Sequence, residues 1–266
     1  MTKTALLTIA SILTLGCSSD TPDPASTAPA AESAPAISIY AAAVAADTRL
    51  EGDYARDAGR QPAAVLEFFG IEAGATVFDM FAGGGYYTEL LANVVGAAGH
   101  VDSHSNKPYV NYVGEEFAMR HDNGRLPNVS VIMAENNELE LEADKYDAML
   151  VVLSYHDIYH VDEDSGWYRI DGEQLRAEWL KGLKPGGVIG IVDHVAAAGA
   201  PAETGETLHR IDPQRVIAEM TAAGFEFDGD SDILRNASDD HSLSVFAPDV
   251  RGKTDRFVLR FVKPAD

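Results

Sequence analysis

The chain has 266 residues, 46% of them hydrophobic and 23% charged, an ordinary composition for a globular protein. Its formal net charge of -22 and sequence pI of about 4.5 give a surface that repels phosphate backbones, which argues against a nucleic-acid substrate. The one cysteine, Cys17, lies near the N-terminus, so residues 18–266 have neither a disulfide nor a thiolate metal site.

The first residues have the pattern of a secretory signal. Lys3 supplies a positive charge, and Ala5 to Leu15 form an apolar stretch too short for a stable transmembrane helix. The stretch runs into Leu15-Gly16-Cys17, which resembles a bacterial lipobox and predicts a lipoprotein signal, residues 1–17, with Cys17 acylated. An ordinary cleaved signal with a chance cysteine is the alternative. Ser18 follows the cysteine, and in lipoproteins a non-acidic residue there favours the outer membrane. We therefore expect an exported protein, in the periplasm or at the outer membrane, that meets the membrane only through lipid.

Residues 18–36 are rich in Ala, Pro, Ser and Thr, and we expect a disordered tether there because so little apolar area can be buried. From residue 37 to residue 266, helical and strand patterns alternate, which predicts one α/β domain with a largely parallel sheet. Residues 50–62, LEGDYARDAGRQP, look charged and turn-rich. The predicted strands are Thr76–Met80, His100–His104, Val129–Met133, Ala148–Leu153, Val188–Val192, Phe225–Asp228 and Phe257–Val262, and the predicted helices are Ile39–Ala46, Pro62–Phe69, Tyr86–Val95, Pro108–Arg120, Gly172–Leu183 and Pro213–Ala223.

The most informative motif is VFDMFAGGGYYTELLA, at Val77 to Ala92. A strand ends near Asp79, and the chain turns through three adjacent glycines before a helix begins. Glycines allow a tight turn and a close approach of the backbone to a ligand, and the helix N-terminus faces that ligand. The spacing does not fit the GxGxxG loop that binds a dinucleotide pyrophosphate.

The segment resembles motif I of the class I S-adenosylmethionine-dependent methyltransferases, D-x-G-x-G-x-G, with Asp79, Gly83 and Gly85 at matching positions and Phe81 in place of the first glycine. Four later segments also resemble motifs of that family: GAAGHV at Gly96–Val101, NVSVIMAENNEL at Asn128–Leu139, YDAMLVVLSYHDI at Tyr146–Ile158 and LKPGGVIGIVDH at Leu183–His194. Taken together, the spacing and order of the elements extend the resemblance from about Pro62 to the C-terminus. More narrowly, the chain resembles exported bacterial proteins described as predicted methyltransferases.

The resemblance implies a Rossmann-like class I methyltransferase fold: a seven-stranded, mostly parallel sheet with an antiparallel last strand and helices on both faces. It implies S-adenosylmethionine as cofactor, with Asp79 orienting its ammonium. The family usually has an acidic residue at the end of its second strand to bind the ribose, but the matching position here is near Ser105 and Asn106, and neither is acidic. Asn106 can still bond a hydroxyl as donor and acceptor. The full set of expected cofactor contacts is Asp79, Gly83, Gly84, Gly85, Tyr87, Asn106, Glu135 and Asn136.

Polar residues follow the fourth and fifth predicted strands, where ligands of open α/β sheets bind. They are His156 and Asp157, then Asp193 and His194, and we expect this group to be catalytic. His156 would act as a general base for a hydroxyl or amine acceptor because a histidine titrates near neutral pH. A histidine that only packs at the strand end is the alternative.

Other interpretations stay open at this stage. No residue is assigned as a metal ligand, although a divalent metal held by this group is an alternative. His209, Arg210, Arg235 and His241 could line an acceptor site or form loop ion pairs. The leading function is methyl transfer to a small-molecule acceptor, and the main rival is an exported binding or structural protein that keeps the fold without catalysis. A third, weaker hypothesis is a metal-assisted hydrolase that uses the histidines.

Overall fold

Seven strands form a single sheet in the computed structural model, which describes residues 37–265. The expected signal, residues 1–17, and the expected tether, residues 18–36, lie outside the described residues and stay predictions. The strands are β1 (Thr76–Met80), β2 (His100–Ser105), β3 (Val129–Met133), β4 (Tyr146–Val152), β5 (Leu183–His194), β6 (Glu226–Ser231) and β7 (Arg256–Val262).

The strand order is β3-β2-β1-β4-β5-β7-β6. The pairs among β1 to β5 are all parallel, whereas β7 runs antiparallel to both of its neighbours, β5 and β6. The strand order therefore reverses at β1: β2 and β3 are added on one side of it, and β4 and β5 on the other. Ligands of open α/β sheets bind outside the carboxyl ends of the strands at such a switch point. The expected fold class is confirmed.

Nine α-helices accompany the sheet in the described part of the chain. They are α1 (Ile39–Val44), α2 (Glu51–Arg60), α3 (Pro62–Phe69), α4 (Tyr86–Val95), α5 (Lys107–Val113), α6 (Glu115–His121), α7 (Gly172–Gly182), α8 (Thr204–Leu208) and α9 (Pro213–Ala222). The Asp212 side chain caps α9 by accepting from the Gln214 backbone N–H, and Pro213 occupies the first turn, as the sequence predicts. Within residues 37–265, none of the helices has the length and apolar content that crossing a bilayer requires.

Alternate residues of the central strands bury two separate cores, one on each face of the sheet. In β4, Met149 and Val151 pack in the core that α7 and α9 cover, with Trp179 as its largest fully buried side chain. Ala148 and Leu150 pack on the other face, in the core that α3 and α4 cover. Burial on both faces explains why residues 148–152 of β4 and 188–192 of β5 are nearly all apolar.

Two sequence expectations about the helices are wrong. Residues 50–62 were expected to be turn-rich, but α2 occupies Glu51–Arg60, because its charged side chains form ion pairs with distant partners. The expected helix Pro108–Arg120 is divided into α5 and α6 at Gly114, whose φ of 61° and ψ of -129° are not helical. The two corrections matter because α2, α5 and α6 cover the carboxyl end of β1.

Candidate functional site

The turn after β1 forms the floor of a cavity of about 520 Å³, which we call the loop cavity. Asp79, Gly83, Gly84 and Tyr87, four of the expected cofactor contacts, line it. The volume falls within the range of about 300–1,000 Å³ that is typical of small-molecule sites. The sequence motif and the cavity therefore coincide.

The carboxylate of Asp79 is almost completely buried beside the loop cavity. The Thr88 hydroxyl donates to its Oδ2 atom at 2.6 Å, and Ser103 lies 3.1 Å from that hydroxyl. Burial raises the pKa of Asp79 from 3.8 to about 7, although the hydrogen bond from Thr88 opposes the shift. A carboxylate without a cationic partner among the described residues is well suited to accept an ammonium group from a ligand.

Helix α6 packs directly against the glycine turn, and its Glu116 also lines the loop cavity. A Cβ at Gly84 would lie 2.5 Å from Cδ of Glu116, and one at Gly85 would lie 2.8 Å from Cγ of Arg120. The fully buried Arg120 donates from Nε to the Gly84 carbonyl at 2.9 Å. These two glycines therefore allow a helix to pack closely, and only Gly83 and Gly84 of the three also line the cavity.

Three arginines line the loop cavity, and sequence reasoning missed all of them: Arg56, Arg60 and Arg251. Arg56 forms ion pairs with Asp53 and Glu116. Arg60 has no carboxylate partner in residues 37–265, and its guanidinium lies over the Tyr86 ring, 4.6 Å from the centroid. For Arg56 and Arg60, the only available signal was a helical spacing of charges in residues 50–62, at positions 53, 56, 57 and 60, and no signal in the sequence indicated Arg251.

The other four expected cofactor contacts, Gly85, Asn106, Glu135 and Asn136, do not line the loop cavity. Asn106 caps α5, where its Oδ1 accepts from the Tyr109 backbone N–H at 2.9 Å. Asn136 is buried in a short 3-10 helix that begins after Glu135. Their assignment to the cofactor stays a prediction.

An aromatic cluster covers the carboxyl ends of β2 and β3. Phe81 stacks on Trp167 with ring centroids 6.1 Å apart and contacts His104 edge-on at 5.9 Å. His104 Nε2 lies 3.0 Å from the carbonyl of Ala134, the residue that follows β3. Tyr109 packs edge-on against Phe81 and Trp167, so the cluster joins the glycine turn to α5.

A second, larger cavity of about 860 Å³ adjoins the first, and we call it the histidine cavity. His156, Asp157, His194 and His209 line it. It shares Arg60, Tyr109, Tyr112 and Leu153 with the loop cavity, which places the two side by side. Three of the four expected catalytic residues therefore face one space, and the fourth, Asp193, lies fully buried behind them.

The His156 imidazole is held between two carboxylates. Its Nδ1 lies 2.8 Å from Oδ1 of Asp193, and its Nε2 lies 3.2 Å from Oδ1 of Asp157. The Asp193 carboxylate also accepts the backbone N–H groups of His156, at 2.8 Å, and of His194, at 2.7 Å. Asp193 therefore fixes the orientation of the strand end and of the His156 ring together.

This arrangement does not fit the expected role of His156 as a general base. Burial by itself would lower the pKa of His156, but the charges of Asp193 and Asp157 and their hydrogen bonds raise it to about 10. At neutral pH the ring is thus an imidazolium with both nitrogen atoms engaged. In the same way, although burial opposes it, His156 holds the pKa of Asp157 below its usual range.

His194 has the opposite electrostatic setting. Its Nδ1 lies 2.7 Å from the Thr254 hydroxyl. Burial lowers the pKa of His194, and the positive charges of His156, Arg256, Arg210 and Arg60 lower it further. His194 is therefore a neutral imidazole at neutral pH, and the burial and positive charges that keep it neutral also make it a weak base.

The later polar residues separate into one that lines a cavity and three that form ion pairs. Arg210 pairs through two nitrogen atoms with Asp239, at 2.9 and 3.0 Å. Arg235 and His241 both contact Asp255. Only His209 of this group lines the histidine cavity.

The backbone at both cavities adopts an uncommon conformation. Phe81, after β1, has a φ of 53°, and Leu153, after β4, has a φ of 58°. Bulky residues rarely occupy this left-handed region, and such strain is concentrated at functional sites. Both residues lie at the carboxyl ends of the two strands that flank the switch point, and both line the loop cavity.

No family model and no curated protein sequence matches the chain. Among solved structures, a SAM-dependent methyltransferase from Aquifex aeolicus superposes with a TM-score of 0.53 and 20% identity, over 75% of this chain and 88% of that one. A SAM-dependent methyltransferase from Mesorhizobium loti gives 0.53 and 11%, over 78% and 99%. The chain has the class I methyltransferase fold. The cyclase SpnF also matches, with a TM-score of 0.53 and 18% identity over 84% of this chain and 86% of that one, so the fold alone does not decide the reaction.

Proposed function

We propose that the protein transfers a methyl group from S-adenosylmethionine to a small-molecule acceptor. One observation carries the proposal: a buried carboxylate and an arginine without an ion-pair partner in residues 37–265, Asp79 and Arg60, line the same cavity above the glycine turn. An α-amino-acid group presents an ammonium and a carboxylate together, and it requires one partner of each charge. The residues of the loop cavity therefore fit the methionine half of this cofactor.

When bound, S-adenosylmethionine would supply a sulfonium methyl group, whose carbon a nucleophile attacks as the C–S bond breaks and S-adenosylhomocysteine leaves. The residues of this chain would bind the cofactor and align its methyl group with the acceptor. Asp79 would accept a hydrogen bond from the ammonium, Arg60 would pair with the carboxylate, and the backbone of Gly83 and Gly84 would allow close approach. Holding two reactants in line is the main contribution that a protein makes to such a displacement.

The histidine cavity is the place of the acceptor in this proposal. It is next to the loop cavity, and its walls contain both an imidazolium, His156, and a neutral imidazole, His194. His194 would accept a hydrogen bond from a hydroxyl or amine acceptor and orient it, while both nitrogen atoms of His156 stay engaged with Asp193 and Asp157. Asp193 positions both residues through its contacts with their backbone N–H groups.

The test is calorimetric titration of the purified protein with S-adenosylhomocysteine and with S-adenosylmethionine. Arg60→Gln should weaken binding without loss of thermal stability, because Arg60 has no ion-pair partner among the described residues. Arg215→Gln on α9 is the matched control, since its partner Glu219 lies away from the loop cavity. Absence of any binding at millimolar ligand would overturn the proposal. Binding without turnover of any acceptor would instead favour the rival, an exported binding protein.

A further inference from the structure

Three side chains converge on the wall of the histidine cavity from separate parts of the chain. His156 and Asp157 follow β4, and His209 follows α8. His156 Nε2 lies 3.2 Å from Asp157 Oδ1, and His209 Nδ1 lies 3.9 Å from the same oxygen. One ligand atom from each residue lies within 4.8 Å of the other two. We propose that this group binds a divalent transition-metal ion of the Zn²⁺ class.

The spacing of the atoms suits tetrahedral coordination. Zn²⁺ binds histidine nitrogen and carboxylate oxygen at about 2.0–2.2 Å, so neighbouring ligand atoms of a tetrahedron lie about 3.4 Å apart. The two measured separations, 3.2 and 3.9 Å, bracket that value. The rings of His156 and His209 are perpendicular, with centroids 5.3 Å apart. Because the rings are not stacked face to face, they leave space for an ion between their nitrogen atoms. Only small side-chain movements are needed to close the site.

Asp193 provides a second, independent observation. It is fully buried and lies 2.8 Å from His156 Nδ1, the ring nitrogen that faces away from Asp157. Histidine ligands of metal ions commonly donate their other ring N–H to a carboxylate, which fixes the ring and increases its basicity. With Asp193 on Nδ1, the Nε2 atom is the one directed at the metal. The ion would replace the proton now shared between His156 and Asp157.

The ligand set leaves a fourth position open. Two histidines and one carboxylate complete three positions of a tetrahedron, which is the pattern of catalytic rather than structural zinc sites. All three residues line a cavity of about 860 Å³, so a ligand can reach the ion from that side. The fourth ligand of the ion would be an oxygen or nitrogen atom of a small molecule. An ion held by imidazole and carboxylate ligands commonly binds such donors.

This ligand set differs from the alternative considered from the sequence, which combined His156 or Asp157 with Asp193 and His194. Asp193 is engaged by two backbone N–H groups and by His156, and His194 Nδ1 lies beside Thr254. His209 replaces them as the third ligand. The inference does not rest on the proposed methyl transfer, because metal binding requires no cofactor.

The experiment is a titration of the tag-free full chain, first stripped of metal with a chelator. Calorimetry with ZnCl₂ measures affinity and stoichiometry, and the visible spectrum with CoCl₂ reports the coordination geometry. We expect one Zn²⁺ per chain and the intense bands of tetrahedral Co²⁺. His209→Asn should abolish both signals while the protein stays folded, because asparagine tolerates the left-handed backbone of that position, φ 54°. Asp193→Asn should weaken Zn²⁺ binding by about 10- to 100-fold.

His100→Ala is the matched control, since His100 also pairs with a carboxylate, Asp102, but at the amino end of β2. Its titration should match the wild type. If the wild type takes up no Zn²⁺, or if His209→Asn keeps the wild-type affinity and Co²⁺ spectrum, the inference is overturned, and His156 is then only the centre of an ion pair. Neither result affects the cofactor titration, so the two proposals fail separately.

Discussion

At the scale of single residues, the buried carboxylate of Asp79 lowers the stability of the fold when it is ionised. Its pKa in the folded protein, about 7, is above the ordinary value of 3.8, so between these values the folded state keeps a proton that the unfolded chain releases. Stability therefore falls as pH rises through that window. Asp79→Asn keeps the acceptor for Thr88 and removes the buried charge, and we expect a higher melting temperature at pH 8 than for the wild type. A lower melting temperature in a scanning calorimeter would contradict this account.

The same carboxylate predicts how affinity depends on pH. An ammonium requires the ionised form, so the affinity for S-adenosylhomocysteine should fall by up to about tenfold per pH unit below about 7. Tyr87, beside it in the cavity, does not titrate there because burial raises its pKa to about 12. Asp79→Asn should bind about 10- to 100-fold more weakly at pH 8, the loss typical of a charged hydrogen bond. Its calorimetric affinity should also lose the dependence on pH, and a variant that kept the wild-type slope would exclude Asp79 as the origin.

At the scale of elements, α6 is held to the glycine turn by a buried ion-pair network. Arg120 contacts the Gly84 carbonyl, Asp53 of α2 at 2.7 Å, and Glu89 of α4. Arg120→Leu removes the fully buried cation between Asp53 and Glu89, which keep only the more exposed Arg56 and Arg125 as partners, and we expect a loss of about 3 kcal/mol in the free energy of unfolding. Urea denaturation measures it. Arg215→Leu, which removes a more exposed pair with Glu219, should cost less than about 1 kcal/mol, and equal losses would refute the network's role.

The sequence predicts elements well where the signal is local. The β1 strand, the glycine turn and α4 have the predicted bounds, because apolar periodicity and glycines determine them within about twenty residues. The sequence does not reveal α2, which contains two glycines and no apolar stripe. Its helix is supported by Asp53 and Arg120, which are 67 residues apart in sequence and meet only after folding. Such long-range ion pairs leave no periodic pattern.

The candidate site divides in the same way. Asp79, Gly83 and Gly84 follow from one motif, and His156 with His194 follows from the rule that ligands bind at the carboxyl ends of strands. The role of His156 did not follow, because its proton affinity depends on where Asp157 and Asp193 point. Arg60 and His209 come from elements whose position the sequence does not specify. A motif therefore locates the site, and the charges that determine its chemistry require the fold.

At the scale of the whole molecule, the acidic protein has three arginines at one cavity. The net charge is -22, yet Arg56, Arg60 and Arg251 all line the loop cavity. An anionic group of a ligand is attracted there and repelled by the remaining surface. The charge distribution thus favours small ligands that carry a local negative group and disfavours polyanions such as nucleic acids.

The whole chain also includes the N-terminal segment that precedes residue 37, and we propose that it attaches the protein to a membrane through lipid on Cys17. The proposal rests on the motif Leu15-Gly16-Cys17 after an apolar stretch and on the Ala- and Pro-rich residues 18–36, which would separate the domain from the bilayer. Several acyl chains on one cysteine anchor stably, whereas one chain binds weakly and reversibly. Mass spectrometry of membrane-extracted protein should therefore find an acylated N-terminal cysteine. Cys17→Ser should move the protein from the membrane fraction to the soluble fraction or leave the signal uncleaved, and a processed variant that stays in the wild-type fraction would exclude the anchor.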